Sequence, residues 1–314
     1  MKPSSDVGIM TIASGDDVYI RMGATLGRSL RRSNPGVPIA VVSDRSHSVL
    51  DRIFDRVIPQ DDAYGKGWLQ KLHLDKYAPF ERTMFIDADS LALRSVEKFF
   101  ELLQDRPFAA VSRGDATAGR WYGDVAKICT RFDVPHMPRL NGGVYYFDRS
   151  ETAQRIFALS REMIPEFDNP DSGLERLQGA VPDEPLVSLS MARSGVPTFE
   201  DHKKLMCCPM DCDWLRIDTL AGRAEFGRDG CVFSPAILHF NAGYWDYFHY
   251  RREAVKLAAA DRMPGISPRT LTLALNAMLN TAYVGEVVCR RLLRALLRGQ
   301  RVQTGNWIPV SRYQ

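Results

Sequence analysis

Two aspartates stand two positions apart in Met84-Phe85-Ile86-Asp87-Ala88-Asp89, directly after an apolar run. At the end of a strand, side chains at i and i+2 leave one face with their α-carbons about 7 Å apart. Carboxylates so placed can chelate one divalent cation through hard oxygen ligands, and the carboxyl end of a strand in an open α/β sheet is where ligands bind. Taken alone, the pair fits equally well a strand that ends in two solvated aspartates. His239 closes a second apolar run, Ile237-Leu238-His239. It reads either as a satisfied core histidine or as a third ligand, and imidazole in such a set tilts the choice from Mg²⁺ toward Mn²⁺.

Three further groups have both a chemical and a plain reading. Leu140-Asn141-Gly142-Gly143-Val144 sets an amide and two glycines before a strand. It is an ordinary turn, or a place where a ligand nears the backbone and Asn141 bonds sugar hydroxyls. Pro182-Asp183-Glu184-Pro185 puts paired acids at a helix start, as N-capping groups or as a carboxylate facing a positively charged transition state. Cys207, Cys208 and Cys212 lack a second pair or a histidine at zinc-site spacing and read as buried structural thiols.

These side chains need a scaffold. The chain has 314 residues, 45% hydrophobic and 25% charged, with 41 Lys and Arg against 38 Asp and Glu. That mix supports a large core and excludes disordered, collagen-like and low-complexity classes. So small a positive excess is no electrostatic footprint for nucleic acid, and six cysteines in this length are too sparse for a disulfide scaffold. The first residues lack the sustained apolar stretch of a signal peptide. The most apolar later run, 271–288, is interrupted by Asn276, Asn280, Thr281 and Glu286, short of the roughly 20 apolar residues of a membrane span. A cytoplasmic location is the expectation.

Apolar runs predict strands at 7–13, 37–43, 56–59, 83–86, 108–112, 144–147 and 236–240. Helical spacing predicts helices over 19–32, 46–54, 68–77, 95–103, 151–164 and 185–192. Strands alternating with helices make an α/β fold around a mostly parallel sheet. Met263-Pro264-Gly265-Ile266-Ser267-Pro268 marks a boundary between a domain over 1–262 and a helical, basic segment over 263–314.

In order and spacing the pieces resemble retaining glycosyltransferase family 8, of the GT-A fold, and most closely its glycogenin-like branch. Four stretches carry the resemblance: Ser14-Gly15-Asp16-Asp17-Val18-Tyr19 with Gly23 to Leu30; Lys71-Leu72-His73 through Tyr77 to Asp87-Ala88-Asp89; Leu140 to Tyr146; and Asp183-Glu184 with His239-Phe240. The resemblance implies a Rossmann-like, mostly parallel sheet flanked by helices, with a helical C-terminal extension. It implies that Tyr19 stacks on uracil, with Ala13 and Asp17 nearby. Asp87-Ala88-Asp89 and His239 would hold Mn²⁺ or Mg²⁺ through the two carboxylates and the imidazole, against the phosphates of a UDP-sugar. Lys71 would lie by the donor sugar, and Asn141, Gly142 and Asp183 would bind its hydroxyls, with Asp183, Glu184 and Lys71 as the catalytic set. The implied activity is metal-dependent, retaining transfer of a hexose-type sugar from UDP to a sugar, lipid-linked or protein acceptor. Those residue types suit that chemistry, because a divalent ion stabilises the leaving diphosphate and a carboxylate suits an oxocarbenium-like sugar.

Other readings start from the same residues. A non-catalytic homologue would bind sugar nucleotide without turnover. A haloacid-dehalogenase-type phosphohydrolase also uses Asp-x-Asp after an apolar strand, but after the first strand, whereas about three strand-like runs precede Asp87. Two departures from the family pattern stand out. Glu184 replaces its usual Gln, and Asn241-Ala242-Gly243-Tyr244-Trp245-Asp246 replaces its Gly and Lys-Pro-Trp, leaving Arg251 or Arg252 to neutralise a diphosphate. Beyond the domain, Arg290, Arg291, Arg294, Arg298 and Arg301 fall opposite Leu292, Leu293, Leu296 and Leu297 on one helix. This basic amphipathic stretch, 286–301, fits an anionic membrane surface as well as it fits a helix packed on the domain.

Overall fold

A computed structural model of the chain describes residues 6–296 other than 202, 211, 242, 244 and 245, with side chains through residue 283. Apolar, β-branched runs form β1 (Val7–Ile12), β2 (Ile39–Ser43) and β3 (Arg56–Pro59), separated by α1 (Asp17–Ser33) and α2 (Ser48–Ile53). A 3-10 segment, Gly67–His73, runs into α3 (Leu74–Tyr77), followed by β4 (Arg82–Ile86), β5 (Ser90–Ala92) and α4 (Glu97–Leu102). The middle holds β6 (Phe108–Ala116), α5 (Val125–Phe132), β7 (Met137–Asp148), α6 (Glu151–Glu162) and α7 (Asp183–Arg193). The last third comprises β8 (Met206–Cys207), β9 (Trp214–Asp218), β10 (Arg223–Arg228), β11 (Cys231–Phe233), β12 (Ile237–His239), α8 (Phe248–Arg262) and α9 (Pro268–Leu296).

The central sheet has the order β3-β2-β1-β4-β7-β6. Its first four strands are parallel, and β7 and β6 join antiparallel. It is a mixed α/β fold with a mainly parallel sheet flanked by helices. Strand alternation sends Met10, Ala40, Phe85 and Tyr145 into one core with α6 and α7. Ile9, Val41, Met84 and Tyr146 enter the other, with α1, α2 and α4. Burial on both faces explains why these strands read as unbroken apolar runs. Two glycines let α1 approach closely despite costing a helix interior about 1 kcal/mol each. A β-carbon at Gly23 would lie 2.6 Å from that of Ala13, and one at Gly27 would lie 2.5 Å from Ile53.

Three local expectations change. Residues 68–77 form a 3-10 segment and one α-helical turn, not a single helix. Asn141-Gly142-Gly143 lies inside β7, not in a turn before it, because pairing with β4 and β6 overrides poor strand propensity. Asp87 to Asp89 form a turn, closed by Ser90 N–H donating to the Asp87 carbonyl at 3.1 Å, not an extended run. Helix α5 and the small sheet β11-β10-β9 had no clear signal.

A third core gathers Leu215, Phe226, Leu238, Phe240 and Tyr250 with Leu257 and Leu271 of α8 and α9. Beneath it, Lys256 is fully buried, its Nζ 2.8 Å from Asp218 Oδ1 and 3.0 Å from Glu253 Oε2. Thr219 donates its N–H and its hydroxyl to Glu253, each at 2.9 Å. Thr272 of α9 donates to Asp218 at 3.3 Å. Arg252 belongs to this network through Glu253 and the Ile217 carbonyl, so its guanidinium is already engaged. No helix among the described residues is long and apolar enough to cross a membrane. Lys256→Met removes the ammonium that the buried Glu253 and the partly exposed Asp218 share and should cost about 1–3 kcal/mol of stability, measurable by chemical denaturation.

Candidate functional site

The pairing of β5 with β12 brings the histidine to the aspartates. After Asp89 the chain returns as β5, and β12 pairs antiparallel with it so that His239 stands opposite Ser90. Phe240 N–H then donates to the Asp89 carbonyl at 2.9 Å. His239 Nε2 lies 3.2 Å from Asp89 Oδ1 and 3.6 Å from Asp87 Oδ2. Neighbouring ligands at roughly 2.2 Å from an octahedral ion sit about 3.1 Å apart, so two carboxylates and an imidazole at these spacings fit one divalent cation. Asp87, Asp89 and His239 offer ligand atoms all within 4.8 Å of one another.

Lys71 reaches the same place from the 3-10 segment. Its Nζ lies 2.9 Å from Asp183 Oδ2 and 3.1 Å from Asp87 Oδ2, and donates to the Gly142 carbonyl at 2.8 Å. Burial alone would depress this ammonium, but Asp183 and Asp87 outweigh it and hold its pKa above the ordinary value. Asp183, the first residue of α7, also accepts the Tyr145 hydroxyl at 2.7 Å. Glu184 accepts Gly142 N–H at 2.7 Å through Oε1 and the Tyr122 hydroxyl at 3.0 Å through Oε2. Gly142 must be bare here, since a β-carbon would lie 2.8 Å from Asp183, 2.9 Å from the Tyr145 hydroxyl and 3.0 Å from Lys71 Nζ.

The carboxyl groups differ in their electrostatics. Burial pushes Asp87 up to about 6 against the pull of Lys71. Burial opposes ionisation of Asp89 as well, yet the charge and hydrogen bond of His239 hold it below its usual value. Glu184 is pushed up by burial and by neighbouring Asp183. His239 would be driven neutral by burial, but Asp89 outweighs that and keeps the ring protonated well above its ordinary range. The cluster has more carboxylates than cations, and a dication is the natural complement.

Asp87, Asp89, His239, Asn141, Gly142, Lys71, Asp183 and Glu184 thus form one connected set. Ala88 is buried beside it in the third core. Ala13 directly follows β1, and Asp17 and Tyr19 lie in the first turn of α1, on the same sheet edge because β1 and β4 run parallel. Ala13 is buried and Tyr19 is 48% exposed. Asp17 pairs with Arg45 at 2.9 Å, and Arg45 also donates to the Gly15 carbonyl. Arg251 lies in α8, exposed, 3.8 Å from Asp246. Within 241–246, residues 242, 244 and 245 lie outside the described residues.

Two site tyrosines escaped sequence reasoning. Tyr145 had a usable signal in its place within Leu140 to Tyr146, one of the stretches that carry the resemblance. Tyr122 had none beyond flanking Gly119 and Gly123. It adopts φ 52°, a left-handed conformation costly for a bulky residue, and its hydroxyl reaches Glu184 from there.

No protein-family model matches the chain, and no curated protein matches its sequence. Among solved structures, the fold is similar to that of the galactosyltransferase LgtC in complex with donor and acceptor sugar analogs. The TM-score is 0.51 at 12% identity, over 79% of this chain and 95% of that one. An active-site mutant of LgtC also scores 0.51, at 14% identity over 80% and 95%. The glycosyltransferase GlyE in Streptococcus pneumoniae is more distant, at 0.42 and 15% identity over 63% and 46%. What is shared with LgtC at such identity is the fold, a GT-A type α/β architecture.

Lys71→Met leaves Asp87 and Asp183 buried without their ammonium. The expected loss is about 3–5 kcal/mol of stability in EDTA, read by denaturation. Saturating Mn²⁺ should add more stability to this variant than to the parent, because it supplies charge that the variant lacks.

Proposed function

We propose that this chain is a metal-dependent, retaining glycosyltransferase that moves a hexose-type sugar from a UDP donor to a sugar, lipid-linked or protein acceptor. The observation that supports it is the convergence of Asp87, Asp89 and His239 beside Lys71 and Asp183, at the carboxyl edge of a GT-A type sheet. The LgtC structure with donor and acceptor sugar analogs has the same type of fold.

In this reading Asp87, Asp89 and His239 Nε2 hold Mn²⁺ or Mg²⁺, which when bound stabilises the negative charge of the departing diphosphate. Tyr19, Ala13 and Asp17 receive the uridine. Asp183 presents a carboxylate to the oxocarbenium-like sugar, oriented by Lys71 and the Tyr145 hydroxyl. Lys71 joins the sugar pocket to the metal ligands, since one ammonium touches Asp87, Asp183 and the Gly142 carbonyl. Glu184, fixed by Gly142 N–H and Tyr122, lines the same pocket, and Gly142 admits the sugar to the backbone.

A screen for UDP release across UDP-sugars with Mn²⁺ tests the reading without knowledge of the acceptor. Release from one or a few donors, abolished by EDTA and by Asp89→Ala, is the expected result; no release and no UDP-sugar binding would sink it. Asp183→Asn should keep UDP binding while turnover falls by roughly 10²–10³, since the lost charge acts mainly in the transition state. An α-linked donor should give an α-linked product by NMR, and a β-linkage would refute retention.

The same proposal places the enzyme in the cytoplasm, against an anionic membrane surface through 286–301. Leu273 and Met278 of α9 are 65% and 58% exposed, and the arginines at 290, 291 and 294 continue that helix; residues 298 and 301 lie outside the described residues. Co-sedimentation with anionic vesicles, lost when 286–314 is deleted, is expected. Binding that survives the deletion, or none in the parent, removes this part of the proposal.

A further inference from the structure

The side chain of Asn141 does not reach for open space. It is buried, and its amide is engaged at both ends by the protein. Oδ1 accepts the N–H of Gly143 at 3.0 Å and faces His239 Nδ1 at 2.9 Å, while Nδ2 donates to Cys208 Sγ at 3.0 Å. The orientation of the amide follows from these partners. A backbone N–H can only donate, so the atom that meets Gly143 must be the oxygen. A flipped amide would set NH₂ against N–H and turn its oxygen toward a thiol.

Once that oxygen is fixed, so is the nitrogen of His239 that keeps its proton when a bound cation displaces the other. A carbonyl oxygen only accepts, so Nδ1 must carry a proton. The nitrogen left for Asp87, Asp89 and a cation is therefore Nε2, the atom 3.2 Å from Asp89 and 3.6 Å from Asp87. Ligating histidines commonly donate their other N–H to a carbonyl or carboxylate, which sets ring orientation and basicity. Gly143 serves the same end twice. Its N–H locks the amide, and a β-carbon there would collide with the imidazole ring, 2.7 Å from Cε1 and Cγ, so its bareness makes room for the histidine.

We propose that Asn141 is a positioning residue for the metal centre, holding His239 in the Nδ1–H tautomer with Nε2 turned to the aspartates, and that it does not bind the donor sugar. The proposal rests on the metal reading above and replaces the sugar-binding role that the family resemblance implies for this residue.

NMR on the ¹⁵N-histidine-labelled full chain loaded with Mg²⁺, which is diamagnetic, reads the tautomer directly. Nδ1 of His239 is expected as the protonated nitrogen, and an Nε2–H tautomer overturns the proposal. Mn²⁺ titration followed by electron paramagnetic resonance supplies the second readout. Asn141→Leu should weaken Mn²⁺ by about 10–100-fold, and should weaken UDP and UDP-sugar binding by a common factor. Asn141→Asp keeps an acceptor opposite Nδ1–H and should stay close to the parent. If Asn141→Leu binds Mn²⁺ and UDP normally and loses only UDP-sugar, the amide serves the sugar and the proposal fails while the metal reading stands. If the parent binds no Mn²⁺, or binds it independently of Asp89, the metal reading itself fails and takes this proposal with it. Should Asn141→Leu not fold, the spectrum of the parent decides.

Discussion

One buried ammonium organises the candidate site. Lys71 sits among Asp87, Asp183 and the Gly142 carbonyl, with Asp89 and Glu184 close behind. Like charges about 5 Å apart repel by roughly 3 kcal/mol at an effective dielectric near 20. Without Lys71 the carboxyl groups would repel one another with no charge between them. With it they are held together and aimed, and they remain short of positive charge. The cluster is therefore stable enough to fold and still electrostatically open to a cation. The 3-10 geometry of Gly67–His73 matters for this reason, since it sets Lys71 Nζ over the rings of Phe85 and Tyr145, 5.4 and 5.3 Å from their centroids, where one charge meets three acceptors.

Much of this was legible in the residues themselves. The central strands are apolar on both faces, so their runs stood out, and β3 falls at its expected limits. Asp87, Asp89 and His239 each stand at the end of such a run; residue type left solvated aspartates and a core histidine open, and the family resemblance implied one ligand set. What could not be read was the device that unites them, because β5 is three residues long and leaves almost no periodic trace, so the strand expected at 236–240 had no visible partner. The position of Asn141 was misjudged for a related reason. An Asn and two glycines predict a turn by propensity, and only the neighbouring strands β4 and β6 make that sequence extended. Tyr122 depends on a left-handed backbone set by loop pairing with Gly173 and Leu174, a tertiary effect without a local code. The Lys256 network joins β9, α8 and α9 from charges that single-sequence reading leaves on the surface.

The order in which these parts occur along the chain has a consequence for biosynthesis. Every strand of the six-stranded sheet has been made once residue 148 is reached. β5, by contrast, pairs only with β12, which ends at His239. At about 5–20 residues per second, a ribosome takes about seven to thirty seconds to travel from one to the other. Through that interval β5 stands as an unpaired strand after an acidic turn that has no imidazole beside it. An ion that needs all three ligands can be captured only by a chain whose last small sheet has closed, so loading marks completed domains. The interval before closure is when the nascent chain has most need of a chaperone.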